Sequence, residues 1–278
     1  MDPRATEFSD QTDLKVLADV MVSDYVQRHL FSGPRYQEPK RLNRHEFSVY
    51  SQGGEDGIVQ EIFRRIGVTN RYFVEFGVGD GLENNTAYLL FKGWSGTWIE
   101  GSSNFTQLIQ RRFRNLMEQK RLTVAQAFIT AENIETIFAR CAVPPEFDLL
   151  SVDIDGNDYW VWRAILNYRP RAVVIEYNAA FPPPVNCVMR YNPQHQWQGT
   201  MNFNSSLSAL EQLGATKGYQ LVGCGFSGVN AFFVRDDCAG DHFAAPFTAA
   251  NHYEPPRYFT IRSSGMPKDF GDFEVRQD

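Results

Sequence analysis

Cysteine is scarce in this chain of 278 residues, and the four present (Cys141, Cys187, Cys224, Cys238) stand far apart without C-x-x-C spacing. A zinc site or a disulfide framework therefore has no support, and reduced thiols in a cytoplasmic protein are expected. Positive charge is also in short supply. Against 33 acidic residues there are 27 lysines and arginines, a net charge of −6, which leaves no footprint for a nucleic-acid partner. Apolar runs stop at strand length, short of the roughly 20 residues a membrane helix needs, so no membrane partner is expected. The opening MDPRATEFSDQTD has no apolar stretch of a secretory signal. There is no G-x-S-x-G elbow, no Cys–His arrangement and no internal repeat, so hydrolase chemistry and solenoid folds have no basis. Apolar and aromatic residues are plentiful, at 43% and 14%, enough for a full core and for aromatic-walled pockets.

The chain is organised around Arg71–Ser102, RYFVEFGVGDGLENNTAYLLFKGWSGTWIEGS. The pattern predicts a buried strand over Tyr72–Phe76, a turn carrying Gly77, Gly79 and Gly81, a helix near Asn85–Lys92, and a second strand over Thr97–Ile99 ending on Glu100. Glycines permit positive φ and close approach of a ligand to the backbone. The following helix points unpaired N–H groups and its positive dipole end above the turn. An acid about 20 residues on, at the end of the next strand, is where a ribose diol is gripped in a βαβ nucleotide site. Yet Glu75 and Asp80 flank these glycines, and carboxylates there repel a pyrophosphate while suiting a cationic ligand.

This E-x-G-x-G-x-G run resembles motif I of the class I S-adenosylmethionine (SAM)-dependent methyltransferases. The resemblance implies that SAM is the cofactor, held by Glu75, Gly77, Gly79, Asp80, Gly81, Asn85 and Glu100. Its implied fold is α/β and Rossmann-like, a doubly wound sheet of seven mostly parallel strands with one antiparallel.

The remaining segments read accordingly. Residues 1–48 form an N-terminal extension with a helix near Asp13–Leu30, packing on or lidding a main domain over 49–239. The turn Ser51–Gly57 (SQGGEDG) opens a helix over Ile58–Ile66. Its polar residues either cap that helix or, through Gln52, Glu55 and Asp56, reach the ligand. Helix Asn104–Gln119 carries arginines (Arg111, Arg112, Arg114) read as a solvated face. Strand Leu122–Phe128 leads to Thr130 and Ala131, where this fold holds an adenine edge; capping of helix Ile134–Arg140 is the other reading. Strand Phe147–Ile154, helix Tyr159–Leu166 and strand Ala172–Glu176 follow. Tyr177–Asn202 is a long insertion rich in aromatics and proline, of a kind that is usually functional. Helix Ser206–Lys217 and a hairpin of Gln220–Gly223 with Val229–Arg235 close the domain. Residues 240–278 are expected as a tail on the core, with enough aromatics to serve a homodimer contact.

Ligands of open α/β sheets lie beyond the C-terminal strand ends. Glu75 and Asp80, Asp153 and Asp155, and Glu176 and Asn178 all fall there. Buried carboxylates are costly without a cation or hydrogen bonds. FDLLSVDIDGNDYWVW is similar to the strand-four stretch of cation-dependent O-methyltransferases, which implies a divalent cation such as magnesium on Asp153, Glu176 and Asn178. Oxygen donors suit that choice; the pair after strand five is split here by Tyr177. Without a cation, Asp153 and Asp155 cap the following helix and bind the methionine part of SAM. Taken together, SQGGEDGI, FVEFGVGDG, GWSGTWIEGS and SVDIDG…VVIEYN look most like FkbM-type methyltransferases, over about Tyr50–Arg235. That resemblance implies O-methylation of a small-molecule hydroxyl on a natural product or sugar, with N- or carboxyl methylation as variants. Asp153, Asp155 or His195 of the insertion are the candidate proton acceptors; a plain surface role for His195 is the alternative. A non-catalytic SAM-binding module and a nucleotide-dependent oxidoreductase are the competing classes.

Overall fold

The computed structural model describes residues 9–261; the rest of the expected tail, 262–278, lies outside the described residues. In chain order it runs α1 (Ser9–Tyr25), a π-helical turn (Val26–Leu30), α2 (Pro34–Gln37), α3 (Glu55–Ile66), β1 (Tyr72–Phe76), α4 (Ala87–Phe91), β2 (Ser95–Glu100), α5 (Ser103–Arg112) and α6 (Arg114–Glu118). Then come β3 (Leu122–Gln126), α7 (Ile134–Arg140), β4 (Glu146–Val152), α8 (Asp158–Ala164), β5 (Arg169–Glu176), α9 (Leu207–Lys217), β6 (Tyr219–Cys224), β7 (Asn230–Arg235), α10 (Asp236–Ala239) and α11 (Ala249–His252).

The strands form one seven-stranded sheet in the order β3-β2-β1-β4-β5-β7-β6. Every neighbouring pair is parallel except β5–β7 and β6–β7. The reversed strand β7 thus inserts between β5 and β6, which is the doubly wound, Rossmann-like arrangement expected. Strand side chains alternate between faces. Val74, Phe76, Leu150, Val173 and Phe233 pack with Ile134, Trp162 and Leu210 on one side. Phe73, Leu149, Val174 and Phe232 pack with Ile58, Leu90 and Ile109 on the other.

Local chemistry sets the element ends. Ser206 caps α9, its hydroxyl accepting from Ala209 N at 3.3 Å, and Gly218 at φ 79° stops it. Acidic Glu55 and Asp56 occupy the first turn of α3. The single helix expected over Asn104–Gln119 is broken into α5 and α6 at Phe113, whose ring turns inward onto Trp98. Burying that aromatic outweighs continuing the helix. The N-terminal extension packs through Val26, Phe31 and Tyr36 on Phe226 of the β6–β7 turn. Leu14, Leu17, Val20 and Met21 of α1 remain exposed.

Candidate functional site

A cavity of about 1280 Å³ opens at the C-terminal strand ends, over the glycine turn. Its floor follows from two backbone facts. Gly77 has φ 67°, and a Cβ there would lie 1.7 Å from the carbonyl oxygen of Asp153. Only glycine lets the β4 end nestle against the turn, which brings Asp153 under the cavity. Gly79, at φ 56°, has nothing within 4 Å of a Cβ position, so the turn presents bare backbone to whatever fills the space. Gly81, at φ 84°, makes room instead for Phe113 and Trp98.

Asp153, Asp155 and Glu176 form the acidic side of the cavity, with ligand atoms all within 4.8 Å of one another. Asp155 stands at φ 56°, a left-handed conformation that aspartate tolerates better than most residues. Burial, then the neighbouring charges of Asp158, Asp155 and Glu75, pushes Asp153 well above the carboxylate range. Burial and the charge of Asp153 do the same to Glu176. Burial raises Asp155 as well, opposed by His195. A trio of oxygen donors whose charges repel one another is the donor set of a hard divalent cation. The residues present fit such an ion.

Several expected roles change. Glu75 does not reach the cavity. It is buried below the turn, accepting from Asn85 N at 2.8 Å, Thr86 Oγ1 at 2.5 Å and Ser151 Oγ at 3.1 Å. Asn85 is likewise internal, its amide donating to Ser151 Oγ. Both serve to hold the segment after the turn, where Leu82, Asn84, Asn85 and Thr86 are buried before α4 begins. Glu100 accepts from Gly79 N at 3.0 Å and Ser102 N at 2.7 Å, bracing the turn rather than lining the cavity. Asp80 does line it, but its carboxylate is paired with Arg112 at 2.6 Å. Arg112 remains exposed, as expected of a solvated face, and also reaches the cavity rim.

Asn178 lines the cavity beside Glu176, with its amide engaged by the insertion. Its Nδ2 donates to the carbonyls of Met201 and Phe203, and its Oδ1 accepts from Ala180 N. It shapes the insertion, and Asp155 completes the carboxylate trio in its place. His195 packs on Gly156 and sits 3.2 Å from the Asp155 carbonyl, outside the cavity lining. Thr130 N donates to Asn133 Oδ1, and Ala131 N donates to the hydroxyl of Tyr191 from the insertion. The Thr130–Asn133 bond closes a turn ahead of α7, whose N-cap Asn133 makes no side-chain capping bond, and Tyr191 covers the Ala131 amide.

The SQGGEDG turn divides between its two readings. Asp56 Oδ2 accepts from Val49, Tyr50 and Ser51 N–H groups at 2.6, 2.8 and 3.1 Å, and Ser51 Oγ accepts from Asp56 N. Glu55 accepts from Gly53 N and Asn230 Nδ2. This lock leaves Gln52 on the cavity wall. Phe105, Glu83 and Tyr258 also line the cavity, and the sequence offered no signal for them beyond position in the fold. The far wall comes from the insertion, which in the structure runs on from the end of β5 to the start of α9 (Trp197, Met201, Phe203), and from the tail (Pro256, Tyr258, Ile261).

No family model matches this chain, and no curated protein matches it. Solved structures do. A provisionally assigned O-methyltransferase from Klebsiella pneumoniae is 12% identical, covering 80% of this chain and 99% of its own, at a TM-score of 0.45. The N-terminal domain of EvdMO1 with S-adenosylhomocysteine (SAH) bound is 11% identical, covering 83% and 97%, at a TM-score of 0.42. An O-methyltransferase from Bacillus cereus in complex with SAH is 13% identical, covering 63% and 70%, at 0.35. At such distances the likenesses carry no argument about activity, and the fold is read from the sheet itself. Among the described residues, no helix is long and apolar enough to cross a membrane.

Proposed function

We propose that this protein is a SAM-dependent methyltransferase of FkbM-like type that methylates a hydroxyl of a small natural-product or sugar acceptor, with a divalent cation on Asp153, Asp155 and Glu176. The observation that carries the reading is the charge of the cavity. Asp80, Glu83, Asp153, Asp155 and Glu176 line it against the single cation Arg112 among the described residues. Before a cation fills the trio, this excess of acidic groups disfavours a polyphosphate and suits a ligand carrying a sulfonium and an ammonium group, which weighs against the oxidoreductase reading.

SAM, when bound, supplies the activated methyl group. The chain's part is to hold and align. Gly77–Gly79 offer a bare backbone surface, Phe105 and Val78 an apolar wall, and Asp153 a negative charge beside the turn. The acceptor enters between the insertion and the tail, past Trp197, Phe203 and Tyr258. Alignment of the acceptor oxygen with the methyl carbon provides most of the acceleration. A cation on the carboxylate trio would lower the pKa of the attacking hydroxyl; without one, Asp155 or Asp153, both raised above the usual range by burial, takes the proton. His195 stands behind Asp155, off the cavity lining, and is the second choice of base.

Incubation of the purified protein with SAM and a panel of hydroxylated acceptors, reading SAH release, tests the reading. Turnover with at least one acceptor, lost in Asp153→Asn, is the expected result. Absence of SAH across the panel, with SAM binding intact, would favour the non-catalytic binding module.

A further inference from the structure

The insertion brings one carboxamide to the carboxylate trio that the proposed reaction leaves without a task. Asn204 is 2% exposed and stands at φ 52°. Its Nδ2 donates to Glu176 Oε2 at 2.5 Å, while its Oδ1 is buried without a hydrogen-bond partner. The backbone beneath it is fixed. Its carbonyl accepts from Met189 N at 3.0 Å, Ser205 pairs with Val188, and the Ser205 carbonyl accepts from Asn178 N at 2.9 Å. The amide is therefore held beside Glu176 and has one freedom left, rotation about its terminal bond. The two ends of a carboxamide are nearly equal in size, so the turn needs no added space.

With its N–H toward Glu176, Asn204 solvates a carboxylate and strands an oxygen. With its oxygen turned inward, it adds a neutral donor to three carboxylates, a mixed oxygen set that magnesium, manganese or calcium accepts. We propose that Asn204 is the carboxamide ligand of the divalent cation held by Asp153, Asp155 and Glu176, and that cation binding thereby clamps the insertion against the strand ends. The proposal rests on the cation of the reading above. Asn204 is contiguous with Phe203, and Phe203 with Met201 and Trp197 forms the acceptor wall. Occupancy of the cation site thus sets the shape of the acceptor site. Asn178, which the sequence suggested as ligand, acts one step back by fixing the Met201 and Phe203 carbonyls.

The test is manganese binding to the full chain, followed by electron paramagnetic resonance, alongside trypsin cleavage at the exposed Arg190 of the insertion. Wild type is expected to bind manganese and to become slower to cleave when it does. Asn204→Gly suits the positive φ and so spares the fold. It is expected to bind about tenfold more weakly or worse and to lose the protection. Asn204→Asp, which keeps an oxygen in place, is expected to retain both. Wild-type affinity in Asn204→Gly, or loss of affinity in Asn204→Asp, would overturn the assignment. So would a wild type that ignores manganese; a SAM titration of the same sample then separates failure of the cation from failure of methyl transfer.

Discussion

Glu75, expected at the cofactor, lies buried beneath the glycine turn, where its proton can be followed. Its burial raises the carboxyl from 4.5 to about 7, against the pull of hydrogen bonds from Thr86, Asn85 and Ser151. Because the folded value exceeds the unfolded one, the folded state holds the proton more tightly. Its stabilising contribution is complete below about 4.5 and is lost as pH rises toward 7, a swing of about 3 kcal/mol. Glu75→Gln removes this dependence. Denaturant unfolding between pH 4.5 and 8 should therefore show the variant gaining on wild type as pH rises, by up to about 3 kcal/mol. Parallel profiles would contradict the buried-carboxyl assignment. The neighbouring Gly77 has no such latitude. A Cβ 1.7 Å from the Asp153 carbonyl cannot be relieved by a rotamer change, so Gly77→Ala should cost several kcal/mol and should appear as a lowered melting temperature together with loss of ligand binding.

Between strands, Asp148 does comparable work. Fully buried on β4, it accepts from the backbone of Thr69, Asn70 and Arg71 and pairs with Arg171 at 3.0 Å. It ties the entry of β1 to β4 and β5, and so sets where the glycine turn falls. Asp148→Ala leaves those donors and the guanidinium without a partner and should cost about 3–5 kcal/mol in chemical denaturation; a loss under 1 kcal/mol would show that the register is held elsewhere. Elements of this kind were the legible part of the chain. Short, largely apolar runs, buried on both faces, marked the strands, and the closing hairpin was plain from Gln220–Gly223 and Val229–Arg235. Placement of Asp153 and Glu176 at strand ends was legible for the same reason. The break at Phe113 was not, because a helical pattern does not show that an aromatic will turn inward. Nor was Asn204, since nothing in its own segment says that the insertion folds back to Glu176. Motif reading assigned Glu75, Asn85 and Glu100 to the ligand by residue type, whereas their hydrogen bonds brace the turn from below.

Across the whole molecule, the N-terminal extension and the tail are knotted together at Glu254. This carboxylate, 1% exposed as a side chain, takes Arg35 at 3.1 Å and Arg257 at 2.7 Å, and accepts from the Tyr36 hydroxyl at 2.7 Å. Just beyond it, Pro256, Tyr258 and Ile261 wall the cavity. The extension thus bears on the site through the tail it anchors. Glu254→Ala should leave two guanidiniums uncompensated, expose Arg257 to trypsin and raise the KM for the acceptor more than that for SAM. Unchanged proteolysis would show that the tail is fixed by other contacts. The same scale carries the central proposal, that the acidic groups at one end of the sheet serve positive charge, a divalent cation on the trio and the sulfonium of SAM beside it. Calorimetric titration of the full chain with SAM and, separately, with NAD tests it most directly. Saturable binding of SAM, weakened about tenfold or more in the double variant Asp153→Asn/Glu176→Gln, with NAD giving no heat, is the predicted result. Binding of NAD in place of SAM, or SAM affinity indifferent to the loss of both charges, would contradict it.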